Sequence, residues 1–263
     1  MRQAIATIIS NKELMPGVYL MWLESPQIAS EAKPGQFVMV RCGEGLEYQL
    51  RRPLSIHQLA TQSALPAKLV LLFTVVGKGT HWLSKCQAGD EIDLLGPLGN
   101  GYSIHPDSHN LLLVAGGIGI TPLVFLADEA VKRGLSVTLL CGTPTAHRYP
   151  PERLPPEIEL VTVTEDGSAG RKGLVTDLLP DFVGWADQIF ACGPIAMYKS
   201  MAAQKQQLLK TKPVQISLEV RMGCGLGVCY GCTVKTKSGL RQVCKDGPIF
   251  NLDDILWDEQ DFI

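Results

Sequence analysis

Four of the eight cysteines in this 263-residue chain fall within one short segment. Cys224, Cys229 and Cys232 follow a C-x4-C-x2-C spacing, and eleven residues separate Cys232 from Cys244. That spacing suits four thiolates holding a 2Fe–2S cluster. Gly223, Gly225, Gly227 and Gly231 are interleaved with them. Glycine lets the backbone wrap a cluster closely and aim its N–H groups at sulfur, which tunes the potential. The alternative is a structural zinc site of four thiolates. Such sites more often carry a C-x2-C pair at both ends, and here there is one such pair. Cys42, Cys86, Cys141 and Cys192 are scattered, and read as small buried apolar residues.

Two further strings have the makings of phosphate sites. Arg52–Pro53–Leu54–Ser55 closes an apolar strand, with Arg51 before it. Leu72–Phe73–Thr74 then runs through Val75–Val76 into Gly77–Lys78–Gly79–Thr80. A glycine turn opening a helix favours an anion, and a guanidinium facing it completes a clamp for a pyrophosphate. The bland alternative is a strand-edge turn with solvated arginines. The second string is Gly117-x-Gly119-x-x-Pro122, between a strand and a helix, which departs from the G-x-G-x-x-G fingerprint. Alone it is a tight strand–helix turn. Its companion is Cys192–Gly193–Pro194, after a later strand and followed by Met197. Both lie where strands end, the ligand-binding edge of a doubly wound sheet.

The elements that must position these residues fall into three segments. Residues 1–104 read as an antiparallel β-barrel. Short apolar strands at Ile5–Ile9, Val18–Leu23, Gln36–Arg41, Leu50–Ile56, Lys68–Val76 and Asp90–Leu94 are separated by Gly and Pro turns, with one short helix within Gly77–Cys86. Residues 105–211 alternate strands at Asn110–Val114, Ser136–Cys141, Glu159–Thr164 and Gln188–Ala191 with helices reaching Arg133 and spanning Ala196–Leu209. That alternation predicts a doubly wound parallel sheet. Pro144–Pro156, with five prolines, predicts a loop. Residues 212–263 are Cys- and Gly-rich, too few for a core of their own, and are expected to depend on the metal centre. The expected class is β plus α/β.

Composition narrows the functions. A net charge of −2 excludes the basic footprint of a nucleic-acid binder. The longest apolar run, Leu111–Ala127, is broken by three glycines and Pro122 and makes a poor membrane span. The apolar stretch at the start is too short for a secretory signal, so a cytoplasmic location is expected. No triad or carboxylate pair is placed for acid–base work, and no catalytic residue is assigned.

The order of motifs resembles the ferredoxin-NADP reductase superfamily. The resemblance implies that Arg52 binds the FAD pyrophosphate and Ser55 approaches the flavin. Leu54 stands where many members have Tyr, which implies a subfamily without that stacked ring. It also implies that the Gly117–Gly119–Pro122 loop and the Cys192–Gly193–Pro194 corner bind a pyridine nucleotide. The selecting residues would follow the second strand, near Gly142–Arg148, where Arg148 could meet a 2′-phosphate. The run from Ser217 to Cys232, ending in Val243–Cys244–Lys245–Asp246–Gly247–Pro248–Ile249–Phe250, is similar to the electron-transfer subunit of class B dihydroorotate dehydrogenase. The likeness covers the whole chain. It implies Cys224, Cys229, Cys232 and Cys244 as cluster ligands and NAD as acceptor. It implies an FMN-containing dihydroorotate dehydrogenase catalytic subunit as partner, in a heterotetramer of two plus two. The nearest alternatives are the small subunit of a bifurcating ferredoxin–NADP reductase and a sulfide- or hydrogenase-associated diaphorase. Some of these replace one cluster cysteine with Asp, and this chain keeps four.

Overall fold

The computed structural model describes residues 1–45, 48–60, 67–146, 154–205, 207–209 and 211–259. Arg148 lies outside the described residues. The first third holds β1 (Arg2–Met15), β2 (Val18–Glu24), α1 (Pro26–Ala29), β3 (Phe37–Val40), β4 (Arg52–Ala60), β5 (Lys68–Thr74), α2 (Lys78–Lys85) and β6 (Glu91–Leu98). The strands close a barrel in the order β1-β2-β5-β4-β3-β6, with antiparallel pairing throughout. Closure leaves no open sheet edge. Alternate residues fill the interior, among them Ile8, Met21, Leu23, Val38, Val40, Ile56, Leu69 and Leu71. The strands predicted at Ile5–Ile9 and Leu50–Ile56 lie at 2–15 and 52–60. Pairing with partner strands carries β1 and β4 past the points where the apolar pattern stops.

The middle third holds β7 (Asn110–Gly116), α3 (Ile120–Lys132), β8 (Ser136–Thr143), β9 (Ile158–Thr164), β10 (Arg171–Lys172), α4 (Leu179–Phe182), β11 (Gln188–Cys192), α5 (Ile195–Gln204) and β12 (Val214–Ser217). Their sheet runs β10-β9-β8-β7-β11-β12, all parallel. Successive residues of β7 serve opposite faces: Leu111, Leu113 and Ala115 join one core and Leu112 and Val114 another. That near-continuous apolar run is what a strand covered on both faces requires. Helix α5 stops at Gln204, short of the predicted Leu209. Leu209 is instead buried through a turn, which Lys212 closes by donating its N–H to Leu209 O.

The last segment forms a hairpin of β13 (Thr233–Thr236) and β14 (Gly239–Gln242), then α6 (Val243–Asp246) and β15 (Ile249–Asn251). Strand β15 pairs antiparallel with β12 and becomes the seventh strand of the central sheet. Met222, Cys232, Val234, Val243 and Cys244 share one apolar core with Phe37, Met39 and Leu98 of the barrel and Ile189 and Ala191 of the sheet. The metal centre is therefore not the segment's only support. It borrows the core of its two neighbours.

Among the described residues, no helix is long and apolar enough to cross a membrane.

Candidate functional site

The cysteine loop follows β12 directly and is anchored on the barrel. Gly225 has a φ of +72°, and a Cβ there would stand 2.6 Å from Met39 Cγ. Only glycine permits both the left-handed turn and that approach. Met39 is on β3, opposite Pro53 of β4, with Phe37 opposite Ser55. The loop thus abuts the strand paired with the Arg52–Ser55 string.

Within the loop Cys224 interacts with Cys229, and Cys244 with both Cys232 and Cys224. Backbone N–H groups point at sulfur: Leu226 donates to Cys224 Sγ at 3.3 Å, Gly227 to Cys244 Sγ at 3.2 Å and Cys244 to Cys232 Sγ at 3.4 Å. Desolvation works to raise the Cys224 thiol, but N–H donors from Leu226, Cys229 and Val228 outweigh it and bring the thiol to about 6. Cys244 is pushed up to about 12 by burial and by the neighbouring Cys232. Cys224 is thus ready as a thiolate near neutrality, and bound iron would displace the proton of Cys244.

Asn100, just past the barrel, holds the Cys-Lys-Asp-Gly-Pro stretch. Its Nδ2 donates to Ile249 O at 2.9 Å and Asp246 O at 3.2 Å, and its Oδ1 accepts from Ile249 N at 2.9 Å.

On the barrel, the adjacent arginines divide their tasks. Arg51 pairs with Asp93 at 2.6 Å and braces the wall. Arg52 lies across the glycine turn, its Nε 3.0 Å from where a Gly79 Cβ would stand. Next to it α2 begins, whose first N–H groups lack helical partners. A guanidinium beside a helix N-terminus fits a pyrophosphate. Thr80 sits in the first turn of α2. Its hydroxyl accepts from the N–H groups of Val76 (2.9 Å) and Gly77 (3.2 Å), so it staples the glycine turn to the start of the helix. Leu72 and Phe73 are buried, Phe73 stacked on Tyr19 at 5.7 Å, and so support the strand from behind. Pro53, Leu54, Ser55 and Thr74 remain partly open.

At the strand ends of the central sheet lies a cleft of about 520 Å³. Gly116–Ile118, Gly142–Pro144, Gly193–Pro194 and Met197 line it. Gly119 backs directly on the carbonyl of Cys192, so a side chain there would collide with it. This contact brings the two glycine strings together. Pro122 is buried in the first turn of α3. The cleft also receives Glu165 and Glu219. Cys192 Sγ lies 3.7 Å from Glu219 Oε1. Glu219 is open to the cleft but walled in elsewhere, and that desolvation raises its carboxyl above the ordinary range. Neither acid stood out from spacing, because Glu219 belongs to an irregular stretch after β12. Its place just ahead of the cysteine loop was the one available signal.

A family model, the iron-sulfur cluster binding domain of dihydroorotate dehydrogenase B, matches residues 219–256. Over nearly the whole chain the sequence is similar to dihydroorotate dehydrogenase B (NAD(+)) electron transfer subunits. The one from Desulforamulus reducens is 36% identical over 96% of this chain and 98% of the relative. The one from Clostridium acetobutylicum is 38% identical over 95% of each. The solved NADH-dependent reduced ferredoxin-NADP oxidoreductase, studied for flavin-based electron bifurcation, superposes with a TM-score of 0.85 at 32% identity, covering 97% of this chain and 91% of that one. A ferredoxin NADP+ reductase from Neisseria gonorrhoeae with bound FAD and NADP shares the fold, with a TM-score of 0.60 at 18% identity, over 79% of this chain and 92% of that one.

Proposed function

Since the chain belongs to the dihydroorotate dehydrogenase B electron transfer subunits, we propose that it carries electrons from a dihydroorotate-oxidising FMN subunit, by way of a 2Fe–2S cluster and FAD, to NAD⁺. When bound, the cluster supplies single-electron steps, the flavin both single-electron and hydride steps, and the nicotinamide accepts a hydride. Cys224, Cys229, Cys232 and Cys244 hold the cluster. Arg52 and the N-terminus of α2 bind the FAD pyrophosphate, with Ser55 and Leu54 toward the flavin. Gly117, Gly119 and Pro122 shape the nucleotide loop, and Cys192–Gly193–Pro194 shapes the corner for the nicotinamide.

The observation that carries this reading is the seating of the cysteine loop on the barrel. Gly225 touches Met39, whose strand is paired with Arg52–Ser55, so cluster and flavin sites are adjacent. The partner docks on the other side of that loop. Val228 and Tyr230, the chain neighbours of the exposed Cys229, are each 70% exposed and form an apolar rim beside it. Such a rim marks a protein contact. The assembly is a heterotetramer of two plus two.

The test is an anaerobic absorbance spectrum of the complex with the candidate FMN subunit, before and after dihydroorotate. Flavin and iron–sulfur bands that bleach are the expected result. In Val228→Asp, dihydroorotate should no longer bleach them while NADH still does. Absence of both bands in folded protein would refute the reading. The likeness to the bifurcating oxidoreductase supports a second reading, a small subunit of such an enzyme. Bands that bleach with pyridine nucleotide but never with dihydroorotate would favour it.

A further inference from the structure

The strand that carries the flavin string contains one residue too many. Along β4, Ile56 lies opposite Leu71 of β5 and Gln58 opposite Val70, so His57 has no partner across the ladder. This is a β-bulge, which turns the extra side chain out of the regular alternation. The imidazole leaves the barrel and enters the seam with α3, where it is 7% exposed. There Nδ1 lies 3.0 Å from the carbonyl of Thr121. A carbonyl only accepts, so Nδ1 bears the hydrogen. Burial holds the ring neutral, lowering it to about 4. Thr121 belongs to the Gly117–Pro122 string, and its own hydroxyl donates to Ile118 O at 2.8 Å within that turn. His57 is two residues from Ser55, and Thr121 two from Gly119. One hydrogen bond therefore joins the two cofactor motifs.

The rest of the seam is built around it. Phe125 of α3 is buried in the barrel core, and Gln58 donates to Asp128 Oδ2 at 3.2 Å. These contacts hold the two lobes together, but neither touches the nucleotide turn. His57 reaches it from the flavin strand.

We propose that His57 is a positioning residue for hydride exchange: by holding the Thr121 carbonyl it fixes the nicotinamide-binding turn relative to the flavin. The proposal rests on the FAD and NAD reading above. Reacting atoms must stand close and aligned, and a displacement of about 1 Å costs about a hundredfold in rate. Loss of the bond should therefore act on the transfer step more than on binding.

The experiment uses the cofactor-loaded complex, with His57→Phe to remove the donor and His57→Asn to restore an N–H near the Nδ1 position. In H57F the rate of flavin reduction by NADH should fall about tenfold or more, and the long-wavelength charge-transfer absorbance of the nicotinamide–flavin pair should weaken. The dissociation constant for NAD should change less than about twofold. FAD content, the cluster's paramagnetic-resonance spectrum and reduction by dihydroorotate should stay as in the wild type. Amide hydrogen exchange at residues 117–125 should rise in H57F, and H57N should return rate and absorbance toward wild type. Wild-type rate and absorbance in H57F would overturn the proposal. So would H57N as slow as H57F, or loss of FAD from H57F, which would make His57 a folding element only. Wild-type protein that NADH cannot reduce would refute the function itself, a separate outcome.

Discussion

Tyr198 stands four residues past Pro194, fully buried on α5. Its hydroxyl accepts from Gly193 N at 2.9 Å and donates to Ser217 O at 2.6 Å. One phenol thus ties the Cys-Gly-Pro corner to the end of β12, from which the chain leaves for Glu219 and the cysteine loop. Replacing it with Phe would leave a buried N–H and a buried carbonyl without that partner, a cost of about 2 kcal/mol. We expect Tyr198→Phe to lower the urea midpoint accordingly and to raise KM for NADH. A wild-type midpoint together with a wild-type KM would show that the corner holds itself. Residues of this kind were not legible in the sequence. The cysteines, the Arg52–Ser55 string and the glycine loops were, because their chemistry fixes their spacing along the chain. His57 and Asn100 act on residues far away in sequence, and Tyr198 joins a near residue to a more distant one, so no local pattern records these roles.

At the scale of elements, the barrel strands and the alternating βα units followed from apolar periodicity and turn residues. What periodicity left open was how the C-terminal segment attaches. Strand β15 has three residues, too few to show a period, yet it completes the central sheet. The backbone around Cys244–Pro248 is held by Asn100, which lies 146 residues from Asp246 in the chain. Besides the three side-chain bonds, Asn100 N donates to Gly247 O at 2.7 Å. Asn100→Ala removes the side-chain set, each bond worth about 1 kcal/mol net and partly replaced by water. The variant should loosen the cysteine segment by about 2 kcal/mol, seen as faster loss of the iron–sulfur absorbance in urea while the flavin absorbance persists. Loss of both absorbances together, at the wild-type urea concentration, would show that Asn100 contributes nothing separate to that segment.

Over the whole molecule, the seam between barrel and nucleotide lobe makes stability depend on pH. The His57 imidazole is lowered from 6.5 to about 4 by burial, with the Thr121 carbonyl opposing. Between those values the unfolded chain binds a proton that the folded chain refuses. Stability from this group is therefore whole above about pH 6.5 and is lost as pH falls toward 4. From pH 7.5 to 5.5 the loss amounts to about 1.3 kcal/mol. Other groups act on the same axis with different signs. Burial raises the carboxyl of Asp128, across the same seam, so the folded chain binds its proton more readily and gains stability on acidification. Asp187 is lowered by N–H donors from His109 and Asn110, and its contribution is lost only at more acid pH. A profile of the wild type alone mixes these effects, so the informative quantity is a difference. Urea unfolding of wild type and His57→Asn at pH 7.5 and 5.5 isolates the histidine, since the carboxyls are common to both. The wild type should lose about 1.3 kcal/mol more than the variant across that interval. Equal losses would mean that the imidazole takes up its proton within the folded seam, and that the seam opens to water far more readily than its burial implies.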